Sequence, residues 1–330
     1  MPHPEDAVGT DVSSTHPLRA RWIVDVARWR PTEREFDFIL NELLPEHESL
    51  AVRRFHREDD RKRACVSRLM QRAIALRACA LSIGARGTAM RDVDIRRTKG
   101  AKPFHATVLE VTGAPNFNFN VSHEGDYVVL ASETHAVVGV DVAAPGQVRR
   151  IGGLERDVGR LLETFSSVLT DRERERISAT ASTNGERAGE ELFRKHWSLK
   201  ESHVKAIGVG LGMDLKRCEF DIDAATSTAS VAVDGVTRSD WAFHIEGFPP
   251  VVDGATTEET HWITVSRGPY EDIVDAHGEF TTMFSQRSFS EDAWRDVLAA
   301  PAPKWELMTV GDLIPDQFRD AFESHGGVIF

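Results

Sequence analysis

Residues 193–212 read FRKHWSLKESHVKAIGVGLG, and the rest of the chain is best read outward from them. The apolar spacing predicts a helix over residues 190–207, stopped by Gly208 and Gly210, since glycine past the last turn takes the left-handed conformation that ends helices. On such a helix Glu201 and Lys205 are four residues apart and share a face, with Trp197 one turn back. Taken alone, the pair reads as an ordinary i,i+4 surface ion pair and the glycines as a helix stop. They are not a dinucleotide-binding fingerprint, because that motif precedes its helix and follows a strand.

Towards the N-terminus, residues 115–127 read PNFNFNVSHEGDY. Ser122 and His123 are neighbours on an extended chain and so point apart, which suits phosphate binding better than nucleophilic catalysis. Valine-rich stretches at 126–133 and 135–143 predict two neighbouring strands joined as a hairpin. In the second, Val138, Val140 and Val142 share one face, leaving Asp141 as a lone carboxylate on the other beside Val137, Gly139 and Ala143. Further upstream, RRTKGAKP at 96–103 offers guanidinium forks, ammonium groups and a glycine turn, and by itself is no more than a basic loop. A first strand is predicted at 21–26, and a helix over 57–83, with apolar positions at Cys65, Leu69, Ile74, Leu76, Cys79 and Leu81, ended by Gly84 and Gly87. On either side of the opening stretch, a helical region is expected at about 153–178, a polar loop near 182–189, and strands at 219–222, 230–233, 241–245 and 261–265.

The net charge of −12 conceals a strong asymmetry. Residues 53–102 hold 15 Lys and Arg against 5 Asp and Glu, a concentration that attracts a polyanion. No aromatic platform or recognition-helix motif accompanies it, so a phosphorylated small molecule competes well with nucleic acid. Residues 271–330 are acidic instead, with 12 Asp and Glu against 4 Lys and Arg, and their scattered aromatics are of the kind that pin an extension to a domain. Cys65, Cys79 and Cys218 have neither C-x-x-C nor zinc spacing and read as buried, reduced thiols. Neither a signal-length apolar run in the first twenty residues nor a run of about eighteen apolar residues anywhere is present, so a cytoplasmic protein is expected.

In order along the chain, the basic loop, NFNVSHEGDYVVL, VGVDV and the opening stretch resemble the large, pseudo-two-fold class of 4'-phosphopantetheinyl transferases, above all its animal branch named for aminoadipate-semialdehyde dehydrogenase, over about residues 20–270. The resemblance implies an α+β fold of two similar halves, each an antiparallel sheet packed with helices, with the active site in the cleft between them. It divides the chain into a loose leader (1–20), an N-terminal half with the nucleotide-binding loop (21–125), a C-terminal half with the catalytic residues (126–270) and an acidic extension (271–330). The implied reaction moves 4'-phosphopantetheine from coenzyme A to a serine of an apo acyl or peptidyl carrier protein. Asp141 and Glu201 look like ligands of magnesium, or of manganese in its place, and Lys205 like the partner of the pyrophosphate and departing nucleotide. Arg97, Thr98, Lys99, Lys102, Asn120, Ser122, His123 and Ser202 resemble the residues that grip coenzyme A. A monomer that needs neither nucleic acid nor membrane is expected. The arginines of 53–77 that do not meet coenzyme A form either a docking face for an acidic carrier or a solvated helix surface. Two departures from the family pattern stand out: Ala143 replaces a second strand carboxylate, and Ala51 occupies the place of an expected arginine, with Arg53 and Arg54 nearby.

Overall fold

The computed structural model describes residues 16–146, 157–249, 256–257 and 260–329. Most of the expected leader and the first residues of the helical region expected from 153 therefore lie outside the described residues. In chain order the elements are β1 (Arg21–Asp25), α1 (Glu33–Phe38), α2 (Glu46–Arg53), α3 (Glu58–Leu81), β2 (Ile95–Arg97), β3 (Pro103–His105), β4 (Asn118–Glu124), β5 (Tyr127–Glu133) and β6 (Val137–Ala143). They are followed by α4 (Val158–Thr164), α5 (Asp171–Asn184), α6 (Glu186–Ile207), β7 (Cys218–Asp223), β8 (Thr228–Val233), β9 (Val236–Phe248), β10 (His261–Gly268), α7 (Glu291–Ala299), β11 (Trp305–Met308) and α8 (Arg319–Ser324).

Two sheets carry the molecule, in the orders β11-β1-β5-β4 and β6-β10-β9-β8-β7, each with one long helix against it. Helix α3 starts with Glu58, Asp59 and Asp60, which suit the positive end of its dipole, and buries Val66, Leu69, Met70 and Ile74 in the first core. It ends at an extended Ser82, before the expected Gly84, and Leu81 stays 41% exposed. Helix α6 buries Leu199, Ala206 and Ile207 against Phe220 and Phe243 of the second sheet and stops at Gly208, whose φ is 75°. The loop expected at 182–189 contracts to Gly185, because a Thr170–Glu173 capping box starts α5 and the helix continues to Asn184. Cys65, Cys79 and Cys218 are buried and free, as their spacing indicated. Among the described residues no helix is long and apolar enough to cross a membrane.

The expected hairpin between β5 and β6 does not form. Strand β5 has β1 on one edge and β4 on the other, so β6 crosses to the second sheet and pairs with β10. The change of sheet thus comes at 134–136, later than the expected division at 125/126. Asparagine side chains replace backbone pairing at the seam. Asn116 and Asn118 donate from Nδ2 to the carbonyls of His135 (2.9 Å) and Ala136 (2.8 Å), while Asn118 and Asn120 accept from the backbone nitrogens of Val138 (3.0 Å) and Val140 (2.9 Å). The alternation N-F-N-F-N is what allows this, since every second residue of a strand faces the same way. Val138, Val140 and Val142 fill the layer between the sheets with Ile23, Val129 and Val265.

The acidic extension spans both halves. Phe280 and Phe284 enter the second core, β11 pairs in parallel with β1, and Phe322 is buried in the first core beside Phe38.

Candidate active site

Gly139 brings α6 against β6. A Cβ at this position would lie 1.9 Å from the Ser202 carbonyl oxygen and 2.5 Å from the Ala206 nitrogen, so helix and strand meet backbone to backbone. Asp141, two residues on and on the same face, consequently meets the last turns of α6. Lys205 Nζ donates to Asp141 Oδ1 at 2.5 Å and to Ser122 Oγ at 2.9 Å, and Ser122 Oγ donates to the same carboxylate oxygen at 3.0 Å. The i,i+4 pair between Glu201 and Lys205 is not made. Lys205 turns to Asp141 instead, and Glu201 forms no hydrogen bond or ion pair with a described residue.

Two carboxylate oxygens are thereby left for an outside partner. Asp141 Oδ2 is buried without a hydrogen-bond partner, and the Glu201 carboxyl is pushed above its ordinary pKa by desolvation and then by the Asp141 charge, with Lys205 opposing. A cation between them would relieve both effects. The donor set is small: among the described residues no group of three or more His, Cys, Asp and Glu converges as a metal cluster, and Ala143 is fully buried. Two hard oxygens fit an ion such as magnesium, which takes one or two carboxylates and fills its octahedron with waters and phosphate oxygens.

The basic loop joins β2 to β3 and seats on the glycines after α6. A Cβ on Gly100 would lie 1.9 Å from the Gly208 carbonyl oxygen, and the Gly100 carbonyl oxygen would be 3.0 Å from a Cβ on Gly210. Those glycines therefore serve more than a helix stop. Thr98 closes the turn, its backbone nitrogen donating to the Lys102 carbonyl at 3.0 Å and its Oγ1 accepting from the Lys102 nitrogen at 3.2 Å. Lys102 departs from its expected role on a phosphate. Its ammonium is buried and donates to the Val138 carbonyl at 2.6 Å and the Lys205 carbonyl at 3.1 Å, tying the loop to β6 and α6. Desolvation pushes its pKa down to about 7. Arg97 and Lys99 remain exposed. Loop and helix together enclose a cleft of about 260 Å³ lined by Arg97, Lys102, Asn120, Glu201 and Lys205 among others.

His123, on the opposite face of β4 from Ser122, keeps an exposed surface but is crowded from behind. Its pKa is lowered, first by desolvation and then by Lys205, Arg63 and Arg68. Arg68 also acts on Arg97 and, unlike Arg63, has no carboxylate partner among the described residues; its Nη1 donates only to the Ala64 carbonyl at 2.9 Å. Helix α3 thus adds a cation to this rim that the sequence did not single out. Its periodicity left the arginines equivalent, whereas in the fold Arg72 is buried against Glu48 and the Met90 and Val93 carbonyls.

Comparison with known proteins agrees with this geometry. Residues 27–135 match the family model "4'-phosphopantetheinyl transferase, N-terminal", and residues 137–265 match the "4'-phosphopantetheinyl transferase superfamily" model. The chain is 32% identical to a rat L-aminoadipate-semialdehyde dehydrogenase-phosphopantetheinyl transferase over 68% of its length and 69% of the relative's. It is 29% identical to the mouse protein of that description over 86% of each chain, and 32% identical to a Thraustochytrium phosphopantetheinyl transferase over 68% of this chain and 73% of that one. The chain belongs to the 4'-phosphopantetheinyl transferase superfamily.

The boundary between the two matched models falls where β5 gives way to β6, at the asparagine seam. This transferase, like its family, transfers phosphopantetheine to carrier proteins with coenzyme A as donor. Ser202, expected beside coenzyme A, is fully buried and bonded to Ser266 Oγ (2.6 Å) and the Leu199 carbonyl (3.0 Å). Adjacent helix residues point about 100° apart, so Glu201 and Ser202 cannot both face the cleft. Arg53, one candidate for the role vacant at Ala51, is engaged with Asp37 (2.7 Å) and Asn41 (3.3 Å).

Proposed function

We propose that this transferase moves 4'-phosphopantetheine from coenzyme A to the serine hydroxyl of an apo acyl or peptidyl carrier protein, releasing adenosine 3',5'-bisphosphate. The reading rests above all on one observation: the buried, unpartnered Asp141 Oδ2 and the part-exposed Glu201 carboxylate, which no described residue pairs, stand with the Lys205 ammonium beside a cationic cleft. Magnesium held by Asp141 and Glu201 would neutralise pyrophosphate charge and leave one phosphorus open to attack. Arg97, Lys99, His123 and Arg68 would bind the nucleotide phosphates. Ser122 and Asn120 would hold Asp141 and β6 in place, Thr98 and Lys102 the basic loop. Lys205, whose side chain is part-exposed, would donate to the departing phosphate oxygen as its charge grows. Glu201, its pKa raised by desolvation and then by the Asp141 charge, is suited to take the proton of the attacking serine directly or through a water. The enzyme would act as a monomer in the cytosol.

Incubation with coenzyme A, magnesium and an apo acyl carrier protein, followed by intact mass, tests the proposal. A gain of one phosphopantetheine per carrier, absent without divalent metal, supports it; an unmodified carrier in the complete mixture refutes it.

A further inference from the structure

At one end of the layer between the sheets, on the same strand faces as Ile23 and Val265, lie Arg21 and Arg267, with Arg19 just before β1. The exposed fractions of Arg19, Arg21 and Arg267 are 4%, 1% and 1%. Glu133 is buried with them and accepts from Arg19 Nε at 2.9 Å, while Arg267 Nη1 stands 3.7 Å from it. Arg267 also donates to the Val297 (2.8 Å) and Leu298 (2.7 Å) carbonyls at the C-terminal end of α7. Arg21 has no comparable partners. Its nearest carboxylate oxygen, on the half-exposed Glu246, is 3.6 Å away.

Four buried nitrogens here find no acceptor: Arg19 Nη1, Arg21 Nη1, Arg21 Nη2 and Arg267 Nε. All of them are donors. Three guanidinium charges against Glu133 and Glu246 also leave one positive charge in excess, and His244 adds nothing to it, since burial and then Arg21 and Arg267 push its pKa down to about 4. A water could accept from two of these groups but would bring two O–H donors of its own and no charge, so the imbalance would persist. A small anion accepts from several donors at once and cancels the excess.

We propose that Arg21, with Arg19 and Arg267, holds a small monovalent anion such as chloride, which ties the two halves together away from the cleft. Glu246, half-exposed, marks the side open to solvent. Such an anion binds the folded protein alone, so it raises the unfolding temperature in a saturable way.

Thermal unfolding at constant ionic strength, with sodium gluconate exchanged stepwise for sodium chloride, is expected to show a saturable rise in Tm of about 2–4 °C. Gluconate is too bulky to enter among these buried side chains. In Arg21→Met, where an apolar side chain of similar length replaces the cation, the chloride dependence should vanish. A Tm indifferent to chloride, or an equal dependence in the variant, overturns the site. Crystals of the unaltered protein grown in sodium bromide give a second reading that does not require the variant to fold. An anomalous peak within hydrogen-bond reach of Arg21 supports the proposal, and its absence overturns it. Neither measurement involves transfer, so the outcome is independent of the catalytic reading.

Discussion

The two long helices, α3 and α6, each lie on the sheet of their own half but are built to different tolerances. Helix α3 meets its sheet through Val66, Leu69, Met70 and Ile74, a layer of side chains that can shift by fractions of an ångström, and offers cations at its rim. Helix α6 meets β6 at Gly139 with no side chain between, and offers the acid and the ammonium on which the chemistry depends. Gripping a flexible, highly charged nucleotide tolerates some play, since Coulomb attraction falls off slowly with distance. Aligning a nucleophile, a phosphorus and a leaving group does not, and a misplacement of about 1 Å can cost about 100-fold in rate. The close contact is found where alignment matters.

Substitutions on α6 and β6 should therefore produce the largest effects. Glu201→Gln and Asp141→Ala are expected to lower kcat at least about 100-fold while leaving the thermal unfolding profile near that of the parent, because each removes a hard oxygen or its charge from the site. Steady-state transfer assays at limiting magnesium check this, and parental turnover in either variant would remove that residue from the mechanism. Gly139→Ala should separate β6 from α6, with a loss of about 3 kcal/mol in urea unfolding and a fall in turnover that added coenzyme A does not restore. A stable, fully active variant would show that the close approach is not required.

Changes on α3 should be smaller and fall on binding. Arg68→Ala is expected to raise the KM for coenzyme A about tenfold with kcat within about twofold. The same substitution should matter less for a donor lacking the 3'-phosphate if that phosphate is its partner. At the start of α3 the expectation for docking changes, because Arg61 is partly buried with its guanidinium 5.3 Å over the Phe36 ring. Arg54 and Arg57 are exposed, and reversing both to glutamate should raise the KM for an acidic carrier about threefold at low salt, fading at high salt. Carrier kinetics unmoved by charge or salt would leave this surface merely solvated.

Lys102, between the two regions, gives the smallest and most specific test. In the folded protein it releases its proton near pH 7, whereas in the unfolded chain it holds it to about 10.5. Between those limits the unfolded state binds more protons, so stability rises with pH, with a limiting slope of about 1.4 kcal/mol per pH unit. Urea unfolding from pH 6.5 to 9 should show this slope in the difference between the parent and Lys102→Met. Parallel profiles would mean that the buried amine keeps its ordinary affinity for protons.

Much of the fold and of the site was legible in the sequence because period and chemistry survive without tertiary context. Both long helices, most of the strands, Asp141 on its small-residue face and Glu201 beside Lys205 on a helix were readable from spacing. The hairpin between β5 and β6 was misread because valine content marks a strand without naming its neighbour. The boundary of α5 was misread because polar residues at 182–184 suit an exposed helix as well as a loop.

The sequence by itself determined which groups were available: two carboxylates, a lysine one turn beyond, a basic loop, glycines where backbones must touch, and a strand with asparagine at every second place. Only the tertiary structure decided how they were used. It turned Lys205 from Glu201 to Asp141, drew Lys102 inward from the phosphates, faced Ser202 away from the cleft, selected Arg68 over Arg72 and buried three arginines around one glutamate. The physical reason is that a side chain's role depends on what desolvates it and which partner lies within about 3 Å, and both are set by residues far away in the chain.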